Sequence, residues 1–496
     1  MIQLKLILVS YICESFKKTP MTDSKLYTIL ATFKKIPQNR LRKYVASPYF
    51  NVNEKILALF DVLAEHINAV KKKVLTKEIV WQGVEGSITP FNDSRFRKHC
   101  SDLLRLVEDY LSQEIYEKKP LQKAGYLMEA VTELKLEKLI NSTDRSADIL
   151  TQQQSYRSAE FYYLQYYTQK NLYDMREEED NRFDKSNVEE IITNLDKFYL
   201  AEKLRWYSTV LNRQNLISHD FKLLFVDEIL EHLEKNTYDE VPPIVIYYLV
   251  YKTLSNDESD EDYNRLKIVL RENRNFLLPK EAEQNYYHLL NFCSRKLNRG
   301  NTHYLREYFE ICKELLDKTE LLILDGTIKT FLFRNLVTIA LRLGEFIWTE
   351  NFLKNFSKYL PESEKETLTA YNYSLLYIYQ KKYDKAIPLL NTVDFKDIGL
   401  ILNAKSALVT IYFDTDEDMA LDSLLDSFKT FLHRHKEVTE TRRALFLNFI
   451  KYVRKLMRLN PGDKTEIAKI YAEMEEDKKV GIASINWLYE KIKDLE

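Results

Sequence analysis

Apolar positions recur at helical spacing along most of this chain. Leu26, Ile29, Leu30 and Phe33 mark one face, Leu41, Tyr44 and Val45 a short second one closed by Ser47-Pro48, and Ile56, Leu57, Phe60, Leu63 and Ile67 a third. Each set follows the i, i+3, i+4, i+7 rule of an amphipathic helix. Thr22 or Asp23 is expected to cap the first helix, because such side chains accept an orphan amide of the first turn. Thr76 is expected to cap a short helix through Trp81, followed by a loop with Gly83, Gly86 and Pro90. Asn92-Asp93-Ser94 then opens a strong amphipathic helix, with Phe96, Cys100, Leu103, Leu104, Val107, Tyr110 and Leu111 on its apolar face. Its other face begins with Arg95, Arg97, Lys98 and His99.

Farther along, the pattern predicts helices over residues 156–179, 188–211, 221–235, 243–255, 260–272 and 280–298. From residue 302 onward it becomes repetitive. Tyr383-Asp384-Lys385-Ala386-Ile387 parallels Glu417-Asp418-Met419-Ala420-Leu421, and the two alanines lie 34 residues apart. That period fits two short helices and two tight turns. Residues 440–460 and 464–494 read as terminal capping helices, with Gly462 and Gly481 as breaks.

Residues 330–434 resemble three tetratricopeptide units. The unit near Thr367 supplies Ser374, Tyr377, Ala386 and Leu390, and the unit near Ile401 supplies Ala407, Ile411, Ala420 and Leu424. The unit near Thr330 supplies Ala340, Gly344, Phe346, Leu353 and a late Pro361, but carries Thr349 where the pattern asks for a small residue. The whole chain also resembles a bacterial family of helical-repeat proteins without an assigned activity. The resemblance implies an all-α, superhelical stack of antiparallel helix pairs, a TPR-like α-solenoid. A lone pair buries too little apolar area to offset its ordering entropy, so each pair needs neighbours. The expected layout is an extension over 1–20, an N-terminal helical region over 22–118, a repeat-like region over 121–329, TPR-like units over 330–434 and capping helices over 435–496.

Composition agrees with long helices. Only 9 Gly and 11 Pro punctuate 496 residues, too few for the many turns of a sheet protein. Lys plus Arg (73) nearly balances Asp plus Glu (75), so net charge gives no pull toward nucleic acid or an anionic membrane. Cys13, Cys100, Cys293 and Cys312 form no CxxC pair and read as thiols of a reducing cytoplasm. The apolar run Leu4-Lys5-Leu6-Ile7-Leu8-Val9 is too short to span a bilayer. Residues 1–20 are expected to be an upstream extension or a disordered tail, a degenerate signal peptide being the alternative.

Candidate chemistry is sparse. His433 and His435 sit at i and i+2, on different faces of a helix, and no HExxH occurs. Neither a phosphate-binding glycine loop nor a GxSxG elbow is present. Acidic runs such as residues 177–180 read as a solvated helix face. No metal, no cofactor and no catalytic residue is therefore assigned. The expected function is a non-catalytic, cytoplasmic scaffold binding a peptide or protein on a concave helical surface. In tetratricopeptide proteins that surface is lined by the first helix of each pair. The resemblance places Arg334, Thr338 and Arg342, then Tyr371, Leu375 and Tyr379, then Lys405, Val409 and Tyr412 on it. Arginine and tyrosine are residue types that dominate interface energetics. A winged-helix-like module over 76–111, using Arg95, Arg97 and Lys98 on DNA, gives a second reading as a transcriptional regulator. An enzyme whose site forms only on folding is the third.

Overall fold

The computed structural model describes residues 20–71, 73–177, 187–214, 221–256, 258–317, 323, 326–392 and 397–495. Of the expected extension over 1–20, residues 1–19 with Cys13 lie outside them, as does most of the acidic run at 177–180. Among the described residues the chain is helical throughout, without a strand, and helices pack in neighbouring pairs. The chain divides into two compact units. One holds residues up to Gln154 together with Glu160–Phe198, the other Ser155–Ala159 together with Tyr199–Glu496.

In the first unit run α1 (Lys25–Ala31), α2 (Lys35–Val45), α3 (Glu54–Asn68), α4 (Lys77–Glu85), α5 (Asp93–Glu117), α6 (Pro120–Glu133), α7 (Glu137–Gln152) and nearly all of α8 (Ala159–Glu177). The next helix, α9 (Val188–Gln214), begins in the first unit and ends in the second. The second unit continues with α10 (Val226–Lys235), α11 (Pro242–Ser255), α12 (Asp260–Asn273), α13 (Pro279–Asn298) and α14 (Tyr304–Asp317). Then follow α15 (Thr330–Arg342), α16 (Phe346–Phe356), α17 (Lys365–Tyr379), α18 (Tyr383–Thr392), α19 (Ile398–Asp414) and α20 (Asp418–Arg434). The described helices end with α21 (Glu440–Leu456), α22 (Lys464–Asp477) and α23 (Ile485–Leu495).

Local chemistry sets these boundaries. Ser24, Asn53, Thr76 and Asn92 cap α1, α3, α4 and α5 by accepting first-turn amides. Ser24 takes the cap expected of Thr22 or Asp23, because Met21–Asp23 curls into a 3-10 turn ahead of it. The C-terminal cap splits at Gly481, whose φ of 101° suits a residue without Cβ.

One turn recurs. At Lys135, Gly300, Gly344, Lys381 and Asp416 the second residue after a helix adopts positive φ. The next amide then bonds the carbonyl five residues back: Leu136 to Val131, Asn301 to Lys296, Glu345 to Ala340, Lys382 to Tyr377 and Glu417 to Tyr412, all at 2.8–3.0 Å. This is the Schellman cap, which satisfies the last carbonyls of one helix while reversing the chain into the next. It joins α6 to α7, α13 to α14, α15 to α16, α17 to α18 and α19 to α20.

Residues 21–117 share one core, containing Leu30, Leu41, Phe60, Leu63, Trp81, Phe96 and Val107. In the second unit one core extends from Val245 to Ile411, and another from Leu402 to Ile492. Helix α19 contributes to both, which explains its near-uniform apolarity. Thr349, the departure from the tetratricopeptide pattern, is fully buried, and its hydroxyl donates to Glu345 O at 2.8 Å. Its polar atom is therefore satisfied inside the helix.

Candidate partner-binding face

Helix α15 buries Leu332, Phe333, Leu336, Val337, Ile339, Ala340 and Leu341. Phe331, Asn335, Thr338 and Arg342 are left exposed, spaced i, i+4, i+7 and i+11, one stripe of a helix. The Thr338 hydroxyl donates to Arg334 O at 2.9 Å. At the start of the stripe Phe331 is 52% exposed, and its ring centroid lies 5.6 Å from that of Tyr287 on α13. Lys329 Nζ sits 4.5 Å over the Tyr287 ring and 3.0 Å from the buried Glu283 carboxylate. The Tyr287 hydroxyl donates to that carboxylate at 2.6 Å.

Helix α17 packs beside α15. Tyr379, at its end, is 43% exposed. Burial raises the Tyr379 hydroxyl pKa, and the nearby Arg342 guanidinium pulls it back. One turn earlier on the helix Leu375 is half-buried against the core. Tyr371 is only 6% exposed. Its hydroxyl pKa is likewise raised by burial and pulled back by Arg334 and by a hydrogen bond with the Asn403 side chain. Arg334 is half-buried and Arg342 exposed, and among the described residues neither guanidinium has a carboxylate at ion-pair distance.

The candidates on α19 are placed differently. Val409 is fully buried, so it offers no side chain to a partner. Lys405 is half-buried, its Nζ 5.4 Å over the Phe431 ring of α20, and burial lowers its pKa. Tyr412 is half-buried against the core. On α19 the exposed Asn403, two positions before Lys405, shares a hydrogen bond with the Tyr371 side chain of α17. Sequence reasoning did not name Phe331, Asn335 and Asn403, which the structure leaves exposed on these helices. The spacing around Thr338 and Arg342 could have found the first two, since they complete the same stripe. Asn403 carried no such signal, because α19 is apolar on nearly every side.

The basic residues of the second reading are neutralised locally. Arg95 lies 3.1 Å from Glu85, and Arg97 pairs with Asp93 at 2.6 Å. Glu85 is buried, also 2.9 Å from His99 Nε2 and 3.5 Å from Lys55 Nζ. The hydrogen bond with His99 holds its carboxyl below the usual range, against the cost of burial. Lys98 is exposed. Trp81 packs over this knot, its indole N–H donating to Thr89 O at 3.1 Å. The turn between α4 and α5 leads straight into helix, and α6 follows α5 directly, so residues 76–133 contain no strand hairpin for a wing.

A further polar seam lines α9, α11 and α13. Arg205 makes a two-pronged pair with Glu202, and the Tyr247 hydroxyl donates to Glu281 at 2.7 Å. Burial raises the Glu281 carboxyl above its usual range. Among the described residues no group of three His, Cys, Asp or Glu is placed to hold a metal ion, and no helix is long and apolar enough to cross a membrane. The chain matches no protein-family model, no curated protein and no solved structure.

Proposed function

We propose that this protein is a non-catalytic interaction module that binds an extended segment of another protein along α15, α17 and α19. In this reading the helix pairs continue as a TPR-like stack, and the first helix of each pair contributes to one binding face. The observation that carries it is the exposed stripe Phe331, Asn335, Thr338 and Arg342 with Tyr379 beside it, an aromatic and guanidinium surface on a rigid, well-packed support. Anchors of this kind lose little conformational entropy on binding and dominate interface energetics. The buried Val409 and Tyr371 support the face from beneath.

The test is a purification of the intact chain with its partner, followed by titration of that partner. Replacing Phe331 and Tyr379 together by alanine is expected to weaken binding by about 2 kcal/mol or more, with melting temperature and far-ultraviolet circular dichroism unchanged. Retention of the partner by that double variant would remove this face from consideration. Loss of it on replacing Arg95 and Arg97 instead would move the interface to α5.

A further inference from the structure

A recurring unit of this chain is a carboxylate that accepts from a tyrosine hydroxyl and pairs with a lysine lying over the same ring. The Tyr263 hydroxyl of α12 donates to Glu307 of α14 at 3.0 Å, and Lys267 pairs with Glu307 while its Nζ sits 5.5 Å over the Tyr263 ring. Tyr287, Glu283 and Lys329 repeat the unit, as described above. Tyr452 and Lys451 of α21 repeat it with Asp477 of α22: the hydroxyl donates at 2.7 Å, and the ammonium lies 2.9 Å from the carboxylate and 5.0 Å over the ring. Two attractions converge on each ammonium, one from a carboxylate that the phenol holds in place and one from the negative face of the ring.

The first unit holds the same arrangement without its cation. The Tyr167 hydroxyl of α8 donates to Glu129 of α6. Glu129 is exposed, and among the described residues no cation lies at ion-pair distance from it. Lysines of the same two helices are engaged elsewhere: Lys170 by Asp174 at 2.9 Å, and Lys123 by Glu117 at 2.8 Å with its Nζ 5.3 Å over the Tyr116 ring. Glu281, which accepts from Tyr247, also lacks a cation at that distance among the described residues, but burial raises its carboxyl and so reduces its need of one. The surroundings of Glu129 are shaped around the tyrosine. A Cβ on Gly125 would lie 2.4 Å from the Tyr167 ring, so only glycine there lets the ring seat against α6. Tyr126 meets Tyr167 at 74° with centroids 6.4 Å apart, and Tyr163 lies nearly parallel to it at 6.2 Å. Tyr126 is 44% exposed, Leu127 47% and Tyr163 37%, so aromatic and apolar surface is open to solvent around the carboxylate.

We propose that Glu129, with Tyr126, Tyr163 and Tyr167 around it, receives a lysine side chain of a partner polypeptide. This is a second interaction surface, independent of the face on α15, α17 and α19. The unpaired carboxylate sets the charge of the occupant, and the three internal examples select an ammonium. The exposed Tyr126 and Leu127 give a polypeptide apolar contact beyond that ammonium, which a free amine or a choline headgroup would leave unused.

The experiment offers a random library of displayed peptides to the immobilised full chain and, in parallel, to E129Q, whose glutamine keeps an acceptor for Tyr167 but not the charge. Peptides retained by the parent and lost by E129Q are expected to share a lysine. For the tightest of them, fluorescence anisotropy should show that replacing this lysine by norleucine weakens binding about tenfold. In E129Q the same replacement should cost less than about twofold, a coupling that a merely structural role of Glu129 would not produce. Y126L should weaken the lysine peptide about threefold, and both variants should melt with the parent. The Phe331 and Tyr379 alanine variant should bind this peptide unchanged, which separates the site from the face on α15. Equal loss on lysine replacement in the parent and in E129Q would overturn the proposal, as would a selection that E129Q leaves unaltered. Selection of arginine instead would overturn the choice of an ammonium. Binding of phosphatidylcholine vesicles that E129Q abolishes, with no peptide selected, would overturn the choice of a polypeptide.

Discussion

Residues 21–117 and 330–434 are both built from short amphipathic helices, but they join those helices in different ways. In the first region helices distant in sequence meet: α1 packs on α3, and α5 packs on both α2 and α3. Its core gathers side chains from five helices around Phe60 and Trp81. In the second region the packing runs between close neighbours: α15 with α16 and α17, α17 with α18, and α19 with α20. Burial that depends on distant partners makes a cooperative unit, whereas burial against neighbours makes stability a sum of local terms. The same contrast bears on function. The bundle pairs its charges internally through Glu85, while among the described residues Arg334 and Arg342 of the hairpins have no carboxylate at ion-pair distance.

Deleting one buried ring from each region gives the largest expected effects. Phe60 and Phe333 are both essentially inaccessible, so replacement by alanine should cost about 3–5 kcal/mol in either place. The contrast lies in how far the damage spreads. F60A should lower hydrogen-exchange protection together in α1, α3, α4 and α5. F333A should loosen α15, α16 and α17 while α21, α22 and α23 keep most of their protection. Equal loss throughout residues 330–495 for F333A would end the description of this region as locally stabilised.

A smaller effect is expected at the charged knot. Removing the Glu85 carboxylate with E85A leaves His99 without its partner and should destabilise the bundle by about 3 kcal/mol. Removing a cation of the hairpin face should cost far less, since the exposed Arg342 has no carboxylate at ion-pair distance among the described residues. R342Q is expected to melt within about 0.5 kcal/mol of the parent, as surface changes usually do. A large loss for R342Q would show that the guanidinium holds the fold, and would weaken its assignment to a partner.

Acidity should separate two carboxyl groups whose shifts have opposite signs. The Glu85 carboxyl is lowered in the folded state, chiefly by its bond with His99. Its contribution is present above the usual carboxylate range and is lost as pH falls through the lowered value. The Glu281 carboxyl is raised, chiefly by burial, so its contribution is fully present in acid and is lost as pH rises through the raised value. E85Q should therefore flatten the acid limb of the stability curve. E281Q should be neutral or stabilising at pH 7 and lose that advantage in acid, because glutamine keeps an acceptor for Tyr247. Denaturant midpoints measured across pH would reject this assignment if both variants shifted in the same sense.

The legibility of the chain follows the same division. Helix positions were readable nearly everywhere, because an amphipathic period is a local property: the expected 188–211, 260–272 and 280–298 became Val188–Gln214, Asp260–Asn273 and Pro279–Asn298. On α15 the exposed stripe was partly readable: Thr338 and Arg342 lie on it, while Arg334 is half-buried and Phe331 and Asn335 were not named. On α19, which lies between two cores, no such stripe was readable: Val409 is buried and Lys405 half-buried over Phe431, while Asn403 is exposed. The pairing of Arg95 with Glu85 was also hidden, since their proximity depends on how α4 and α5 fold against each other.

The smallest effects test whether successive hairpins are equivalent. Gly344 turns its hairpin at φ 76°, a conformation easy for glycine, while Lys381 and Asp416 hold the corresponding places at 56° and 55°. A side chain in the left-handed region strains against its own backbone, so K381G and D416G should each stabilise the second unit by about 0.5–1 kcal/mol. G344A should cost about 1 kcal/mol, through strain alone, because nothing lies within 4 Å of the position a Cβ would take. If the three turns do the same work, gain and loss should match in size and each should be confined to its own hairpin. K135G, at the same turn of the first unit, should behave like K381G. Thermal melts that show no gain for either glycine would mean that Lys381 and Asp416 make compensating interactions, and that the turns share geometry without sharing energetics.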